Sequence, residues 1–344
     1  MKNIVKVLFT LLVAGGVFSA GLFAGTKYRE VDSVHLDGDE GWDYLTADSA
    51  LSKLFVSRGT HVAVIDTFGN TPAGEIAGTD GVHGIAAADS LNRGFTSNGK
   101  ANTVTIFDLK TLKKIGEVKT GENPDAILYD GFSKKVFTFN GKSKDSTVID
   151  AATGKVLGTI PFGGKPEFAC CDGKGMVYAN IEDTSEVVEI DSVRGAVTRR
   201  FSIKPGEEPT GIAIDAVNGY VFSGCRNKMM TVIDIKSGKL IATVPVGAGV
   251  DGCGFDPDKK LAFTANGQDG TMSVINEASK GKFEVIQTVE TKKGARTMTV
   301  DAATHKIYLP TADFGPAPEK KPGEKWARPP VIKGSFVVLV VEEK

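Results

Sequence analysis

Apolar and polar positions alternate along this chain in short segments, and the same order of segments returns every 41 to 45 residues. The segments are rich in β-branched and aromatic residues, and long apolar stripes with the period of a helix are missing. One apolar segment of each repeat closes on an aspartate, and this series is Asp48, Asp89, Asp130, Asp172, Asp215, Asp256 and Asp301. Four short strands in a repeat of this length predict the blade of a β-propeller.

The two ends of the chain predict how the ring closes. Residues 28–36 (YREVDSVHL) resemble the fourth strand of a repeat, whereas the C-terminal repeat finishes with SFVVLVVEE and has no fourth strand of its own. We therefore expect an all-β, seven-bladed β-propeller of four-stranded blades, closed by the N-terminal strand joining the C-terminal blade. Residues 28–344 are expected to form this single domain, with an insertion at about 312–334 in the last blade.

The first 24 residues predict a signal peptide. Lys2 and Lys6 precede an apolar run from Val7 to Phe18, and the small residues that follow place cleavage near residues 19–25. No cysteine for lipid attachment lies in this segment. The expected location is the bacterial periplasm or the extracellular space, and an uncleaved membrane anchor is the alternative.

Charge narrows the choice of partners. The formal net charge of −1 becomes more negative if the two lysines leave with the signal peptide, so nucleic acid is not favoured as a partner. The sequence requires no cofactor, although a divalent metal is compatible with it. We expect a monomer without a transmembrane segment after signal removal, and its small-molecule ligand or protein partner stays unknown.

The four cysteines, Cys170, Cys171, Cys225 and Cys253, leave the disulfide state open. A bridge between Cys225 and Cys253 is compatible with neighbouring blades, and buried free thiols are the alternative. The spacing of the cysteines matches no zinc motif.

Three segments, FTSN, FTFN and FTANG, are each followed by a loop and a TVID-like strand. They resemble the YVTN repeat of the YncE-like β-propellers, a WD40-like repeat. The resemblance covers residues 28–344 and implies the fold. It implies no single activity, because that superfamily includes proteins of unknown role, relatives of the cytochrome d1 haem domain, quinoprotein-like dehydrogenases and lactonases.

One position of each repeat, five residues before the repeat aspartate, is expected at the mouth of the central channel. Four repeats have an acid there and the last has an arginine. Together with a histidine one position earlier in the second repeat, the predicted ligand-binding residues are Asp43, His83, Asp125, Glu167, Asp251 and Arg296. A pocket for a cation or for a cationic or polyhydroxylated ligand is one interpretation, and hydrated acids that cap backbone amides are the other.

Two histidines are expected on the same face. His61 is placed in the loop between the second and third strands of the first blade, and His83 in the loop that leads to the second blade. With Asp43 they are weak candidates for metal ligands or for an acid–base pair, and two loop histidines that never meet are the alternative. In the last blade, Trp326 and Arg328 of the insertion are candidates for a lid, and a poorly ordered surface loop is the alternative.

Signatures of catalysis such as G-x-S-x-G, a P-loop or His-Glu-x-x-His are missing from the sequence. Whether the protein is an enzyme is therefore uncertain, and the balance is against it. We expect an exported propeller that acts as a ligand-binding or protein-interaction scaffold through one face of its channel. The alternative is a periplasmic hydrolase, lactonase-like, or a cofactor-dependent oxidoreductase that uses the same face.

Overall fold

A computed structural model describes residues 27–318 and 329–344 of the chain. Short strands dominate these residues, with single turns of 3-10 helix at Asp89–Leu91 and Glu182–Thr184. Within the described ranges, no helix is long and apolar enough to cross a membrane. The expected signal peptide at residues 1–24 and the candidate lid residues Trp326 and Arg328 lie outside the described residues.

The strands form antiparallel sheets arranged in a ring. The first sheet contains β2 (Leu45–Asp48), β3 (Lys53–Asp66), β4 (Thr71–Ala88), β5 (Arg93–Asn98), β6 (Thr103–Asp108) and β7 (Lys114–Lys119). The next two contain β8 (Pro124–Asp130), β9 (Lys135–Asn140), β10 (Asp145–Asp150) and β11 (Val156–Pro161), then β12 (Pro166–Cys171), β13 (Met176–Ile181), β14 (Glu186–Asp191) and β15 (Ala196–Ser202).

The remaining three sheets complete the ring. Two of them contain β16 (Pro209–Asp215), β17 (Tyr220–Cys225), β18 (Met229–Asp234) and β19 (Lys239–Pro245), then β20 (Val250–Asp256), β21 (Leu261–Asn266), β22 (Thr271–Ser279) and β23 (Lys282–Glu290). The last combines both ends of the chain and contains β24 (Thr299–Asp301), β25 (Lys306–Thr311), β26 (Val337–Glu343) and β1 (Tyr28–His35).

The prediction of seven four-stranded blades is wrong, because the described strands form six hydrogen-bonded sheets. Five sheets have four strands, and one has six. The cause is β4, a single strand of 18 residues that pairs with β3 through its first half and with β5 through its second half. Gly78 and Gly81 adopt positive φ inside β4, so the chain bends there without ending the strand. The first two sequence repeats therefore share one sheet.

The closure of the ring by the N-terminal strand is confirmed. β1 pairs antiparallel with β26, from Tyr28 opposite Glu343 to His35 opposite Val337. Apolar side chains fill the spaces between neighbouring sheets, and Tyr28 of β1 packs in this way against Phe263 of the preceding sheet, with ring centroids 5.3 Å apart. The closing strand thus contributes both backbone pairing and core packing.

The repeat aspartates are turn residues. Asp256, for example, is buried at the end of β20, and its Oδ1 accepts hydrogen bonds from the backbone N–H groups of Asp258 and Lys259, both at 3.0 Å. Asp130 and Asp215 accept equivalent bonds from the turns that follow them. An aspartate that holds the hairpin turn in this way explains the period of the sequence without a role in ligand binding.

The recurring segments FTSN, FTFN and FTAN, together called the FTxN motif, have a structural cause as well. In β5 the Thr96 hydroxyl donates to the Asn98 side-chain oxygen at 2.8 Å, and the Asn98 amide donates to Thr105 Oγ1 of β6 at 2.9 Å. The same buried hydrogen-bonded triad recurs as Thr138–Asn140–Thr147 and Thr264–Asn266–Ser273. These side chains are buried polar groups that satisfy one another and so fix neighbouring strands.

All four cysteines are free thiols. Cys225 ends β17 and Cys253 lies in β20, and both are buried. Burial raises the pKa of the Cys225 thiol to about 12, and it raises that of Cys253 as well. The buried thiols therefore behave as small apolar side chains in the core between these sheets.

Closure by β1 can be tested with a charge placed on either face of the strand. Val34 is buried against the first and last sheets, and its neighbour Ser33 is exposed. We expect Val34→Asp to lower the free energy of unfolding by about 3–5 kcal/mol, because a carboxylate is left buried without a partner. Ser33→Asp should change it by less than about 0.5 kcal/mol. Denaturant unfolding measures both, and equal effects would contradict the packed closure.

Candidate functional site

The predicted channel-mouth residues lie where the first strand of a repeat begins. At five of these places the pairing between the first and second strands shifts register, and the shifts fall at His83, Asp125, Glu167, Thr210 and Asp251. A bulge interrupts the strict alternation of side chains and re-aims the residue it contains. The bulges place side chains from different sheets in contact with one another at the channel mouth.

Arg296 connects the first and last parts of the ring. Its Nε donates to Asp251 Oδ2 at 2.8 Å, and its Nη2 donates to Asp43 Oδ1 and to the Trp42 carbonyl oxygen, both at 3.1 Å. The two carboxylates raise the pKa of the guanidinium against the opposing effect of burial. Arg296 is therefore a fixed positive charge that bridges two acids, one from each of the repeats on either side of its own.

His83 lies between two carboxylates. Its Nδ1 donates to Asp43 Oδ2 at 2.6 Å and lies 3.2 Å from Asp125 Oδ1. Burial by itself would lower the pKa of His83, but the hydrogen bond and charge of Asp43 outweigh it and raise the pKa. Burial by itself would raise the pKa of Asp43. The hydrogen bond from His83 and the charge of Arg296 outweigh burial and hold the pKa of Asp43 below its ordinary value.

Glu167 is the most buried acid of the group, with a side chain 8% exposed. Its Oε2 lies 3.0 Å from Lys165 Nζ, and Lys165 also pairs with Glu182. Arg226 contacts the other oxygen of Glu182 at 3.1 Å. Burial, followed by the charges of Asp125 and Asp251, raises the pKa of Glu167 to about 8 although Lys165 opposes the shift.

Two aromatic rings form a floor beneath these charges. Tyr44 follows Asp43, Phe168 follows Glu167, and their rings stack with centroids 4.4 Å apart. Tyr44 leads into β2 of the first sheet and Phe168 belongs to β12, and these sheets are not neighbours in the ring. The stack therefore crosses the channel. We call the space above it the cup, defined by Asp43, Tyr44, His83, Asp125, Glu167, Asp251 and Arg296.

The hydroxyl of Tyr44 faces the charged groups. Tyr44 is 5% exposed, and burial, together with the charges of Glu167, Asp251 and the other two cup acids, raises the pKa of its phenol well above 10. Within residues 27–318 and 329–344 the hydroxyl makes no hydrogen bond, although the Tyr44 N–H donates to the His83 carbonyl oxygen at 3.2 Å. A neutral phenol is thus available to a ligand in the cup.

The base of the last-blade insertion lies beside the cup. Phe314 pairs with Val331 in an isolated bridge, and the Phe314 ring packs on Trp42 with centroids 6.1 Å apart. Trp42 also packs on Phe336, and its carbonyl accepts from Arg296. The base of the insertion therefore lies at the rim next to Asp43.

The structure separates the two histidines of the predicted metal set. His61 lies inside β3, opposite Ala77 of β4, so its placement in a loop is wrong; β3 continues through Gly59, which has a positive φ. The ring of His61 contacts the Thr60 hydroxyl at 3.3 Å and is no part of the cup. A group that could hold a metal ion contains Asp43, His83 and Asp125 instead.

Two buried asparagines near the ends of second strands, Asn140 and Asn180, are engaged within the protein. Asn140 Oδ1 accepts a hydrogen bond from the Thr138 hydroxyl at 2.9 Å. Asn180 Oδ1 accepts one from the Ser223 hydroxyl at 2.7 Å. The side-chain oxygens that a metal would bind are therefore already used by protein donors.

Sequence reasoning missed four members of the charged network or its floor, namely Tyr44, Lys165, Glu182 and Arg226. Lys165 stands two residues before the bulged Glu167, and Glu182 begins the 3-10 turn that directly follows β13, so both lie in connections at the same end of the sheet. Repeat spacing contains this information for Tyr44, which is one residue beyond the channel-mouth position. It contains none for the loop residues, because loops differ in length from repeat to repeat.

Comparisons with known proteins identify the fold. No family model matches the chain, and no curated protein matches it. Among solved structures, a chain of Kuenenia stuttgartiensis hydrazine synthase is similar at a TM-score of 0.70 and 17% identity, covering 81% of this chain and 95% of that one. A chain from the crystal structure of the mitotic checkpoint complex is similar at 0.73 and 11% identity, covering 89% and 96%. At such identities the likeness shows a β-propeller and no particular chemistry.

The role of Arg296 can be tested by removing its charge. We expect Arg296→Met to lower the free energy of unfolding by roughly 2–3 kcal/mol at pH 8, because Asp43 and Asp251 are left without their cation. Without that cation the pKa values of both carboxyls rise, so the loss should shrink as the pH falls to 5 and they take up protons. Arg194→Met is the matched control, because Arg194 is 79% exposed. A loss independent of pH would contradict the bridge.

A pH-dependent stability is expected from Glu167. Its pKa of about 8 in the folded chain lies above the ordinary value of 4.5, so the folded state holds the proton more tightly and stability falls as the pH rises through this window. One proton accounts for a slope of up to about 1.4 kcal/mol per pH unit. Glu167→Gln should flatten the slope and stabilise the protein at pH 8. Urea unfolding from pH 5 to 8 measures this, with exposed Glu117→Gln as the control; an unchanged slope would contradict the assignment.

Proposed function

We propose that this protein is a ligand-binding β-propeller that captures a small, positively charged ligand in the cup. The β-propeller fold is consistent with a binding or scaffold role. One observation carries the choice of ligand charge, namely an excess of acidic groups that the chain does not balance with its own cations. The fold provides the frame, and the charges above Tyr44 and Phe168 provide the selectivity.

The excess follows from the groups in contact. Five carboxyl groups belong to two neighbouring groups of contacts, Asp43, Asp125 and Asp251 around His83 and Arg296, and Glu167 and Glu182 around Lys165. Three permanent cations face them, and they are Lys165, Arg226 and Arg296. Protons must supply the rest of the balance in the absence of a ligand, and burial accordingly raises the pKa of Asp125 to about 6. A cation that enters the cup replaces these protons.

The network also suggests which part of the cup receives the ligand. Asp43 and Asp251 are already paired with Arg296. Asp125 and Glu167 have no permanent cation of their own. Asp125 contacts His83, which can lose its charge, and Glu167 shares Lys165 with Glu182. The ligand charge is therefore assigned to the side of the cup around Asp125, which His83 contacts and whose charge acts on Glu167.

We further propose that the chain belongs to the YncE-like propellers with YVTN repeats and works outside the cytoplasm. The recurring FTxN motif and the closing N-terminal strand support the family assignment, and residues 1–24 support export. A cup that binds a solute without transforming it agrees with the missing catalytic motifs. The rim near Trp42, which lies beside the cup, offers a second surface that a protein partner could contact.

Acid–base catalysis at His83 is the second candidate function. Asp43 fixes His83 through Nδ1, and the opposite nitrogen lies next to Gly99, where no hydrogen bond within the described part of the chain engages it. A histidine held in this way is the arrangement of a general base. If this candidate is right, the protein turns over at least one compound of an ester and lactone panel, and His83→Gln abolishes that turnover. Cation binding without turnover favours the binding function instead.

The binding proposal predicts a charge-selective ligand response. We expect spermidine, putrescine and divalent metal salts to include at least one cation that raises the melting temperature of the full chain, and sodium phosphate or citrate to have no comparable effect. The double variant Asp125→Asn, Glu167→Gln should lose the response, because both unbalanced acids are neutral. Calorimetric titration in two buffers of different ionisation enthalpy should detect proton release on binding.

The matched control for this experiment is Glu117→Gln, Glu284→Gln, which removes two exposed acids of the outer strands β7 and β23. The control should respond like the wild type. The proposal fails if no cation in the panel binds, or if the double variant binds as tightly as the control.

A further inference from the structure

We propose that Asp43, His83 and Asp125 form a binding site for one divalent transition-metal ion. The inference rests on the proposed function, because it names the class of cation that the cup takes. Three potential ligand atoms, one imidazole nitrogen and two carboxylate oxygens, lie within 4.8 Å of one another. The three residues come from three consecutive repeats, the first two of which share one sheet, so that residues far apart in the sequence meet at one place.

The spacing of the atoms agrees with a shared ion. His83 Nδ1 lies 2.6 Å from Asp43 Oδ2 and 3.2 Å from Asp125 Oδ1. Nitrogen and oxygen ligands at the usual bond lengths to a first-row metal lie about 3–3.5 Å from one another. Small side-chain rotations are therefore sufficient to open the set around an ion, and the backbone bulge at Asp125 need not move.

The hydrogen-bond inventory supports a ligand at this point. Nδ1 carries a single proton, which is used in the short bond to Asp43. Asp125 has no other hydrogen bond to its carboxylate among the described residues, although its side chain is only 16% exposed. A metal ion that displaces the Nδ1 proton would bind all three atoms at once, and the imidazole would keep its proton on the other nitrogen.

A second feature lies beside the three residues. The Tyr44 hydroxyl is part of a side chain that is more than nine-tenths buried, and it makes no hydrogen bond in the parts of the chain that the structure describes. The Tyr44 N–H donates to the His83 carbonyl oxygen at 3.2 Å, so this residue is a direct neighbour of the metal set. A hydroxyl without a protein partner can bond to a ligand or to a bound water, including water on a metal.

The ligand set also defines the class of metal. One imidazole and two carboxylates suit Zn²⁺, Mn²⁺, Fe²⁺, Co²⁺ or Ni²⁺, whereas Mg²⁺ and Ca²⁺ favour all-oxygen sites. Arg296 binds the second oxygen of Asp43 at 3.1 Å, which orients Oδ2 toward His83. Such an outer contact fixes the direction of a metal ligand. Three protein ligands leave further coordination positions open toward the cup.

The test uses tag-free full chain, stripped with EDTA and dialysed into chelator-free buffer. We expect calorimetric titration with Zn²⁺ to show one ion per chain, and Co²⁺ to give visible absorption bands of a site with nitrogen and oxygen ligands. His83→Gln and Asp125→Asn should each weaken Zn²⁺ binding by about 100-fold. His61→Gln and His305→Gln are the matched controls and should bind as the wild type does, because neither histidine belongs to the set.

Spermidine titration of the same proteins separates this inference from the proposed function. If spermidine binds and Zn²⁺ does not, or if His83→Gln keeps the Zn²⁺ affinity of the wild type, the metal site is overturned. The proposal of a cation-binding cup then still stands. If neither these two nor any other cation of the panel binds, both are overturned. Circular dichroism and melting curves of each variant show that a loss of binding is not a loss of fold.

Discussion

The pairing of β1 with β26 is the constraint on which the rest of the structure depends. It closes the ring of sheets and places Asp43, which precedes the first strand of the first sheet, against Arg296, which precedes β24 of the last sheet. These residues are 253 positions apart in the sequence. An open array of sheets would leave the arginine without one of its two carboxylates and the channel without a wall.

Closure also crowds acids of the same charge around one axis. Repeats that each begin with an acidic residue bring their carboxylates together, and burial makes the repulsion between them larger than it would be in water. The chain offsets part of this repulsion with Arg296 and Lys165 and leaves part of it in place, as the raised pKa of Glu167 indicates. Groups that oppose the stability of a fold in this way are concentrated at sites of binding or chemistry.

Much of the fold could be predicted from the sequence because its signals are local. The repeat aspartate holds a turn and recurs with every repeat, and the FTxN motif holds neighbouring strands in three of them. The registered spacing also predicted that Asp43, Asp125 and Asp251 share a position. The single sheet formed by the first two repeats escaped prediction, because two glycines with positive φ bend β4 without ending it, and glycine more often signals a break.

The contacts across the channel escaped prediction for a different reason. Tyr44 and Phe168 meet because the ring is narrow enough for two side chains to span it, and ring diameter is a property of all the sheets together. The position of His61 depended on a loop that the structure replaces with continuous strand. Local patterns therefore identified which residues reach the channel, and only the assembled ring shows which of them touch.

The assembled cup has two unlike halves, and this asymmetry is what makes binding of a cation a reasonable consequence of the fold. On one side Arg296 neutralises Asp43 and Asp251 permanently, and its rigid guanidinium fixes their geometry. On the other side His83, Asp125 and Glu167 all have raised pKa values, so that their charges change with protonation. A fully neutralised ring would give a cation no advantage over water, and a ring without arginine would strain the closure that forms it. The fixed half maintains the channel, and in the proposed function the adjustable half exchanges protons for a ligand without opening the ring.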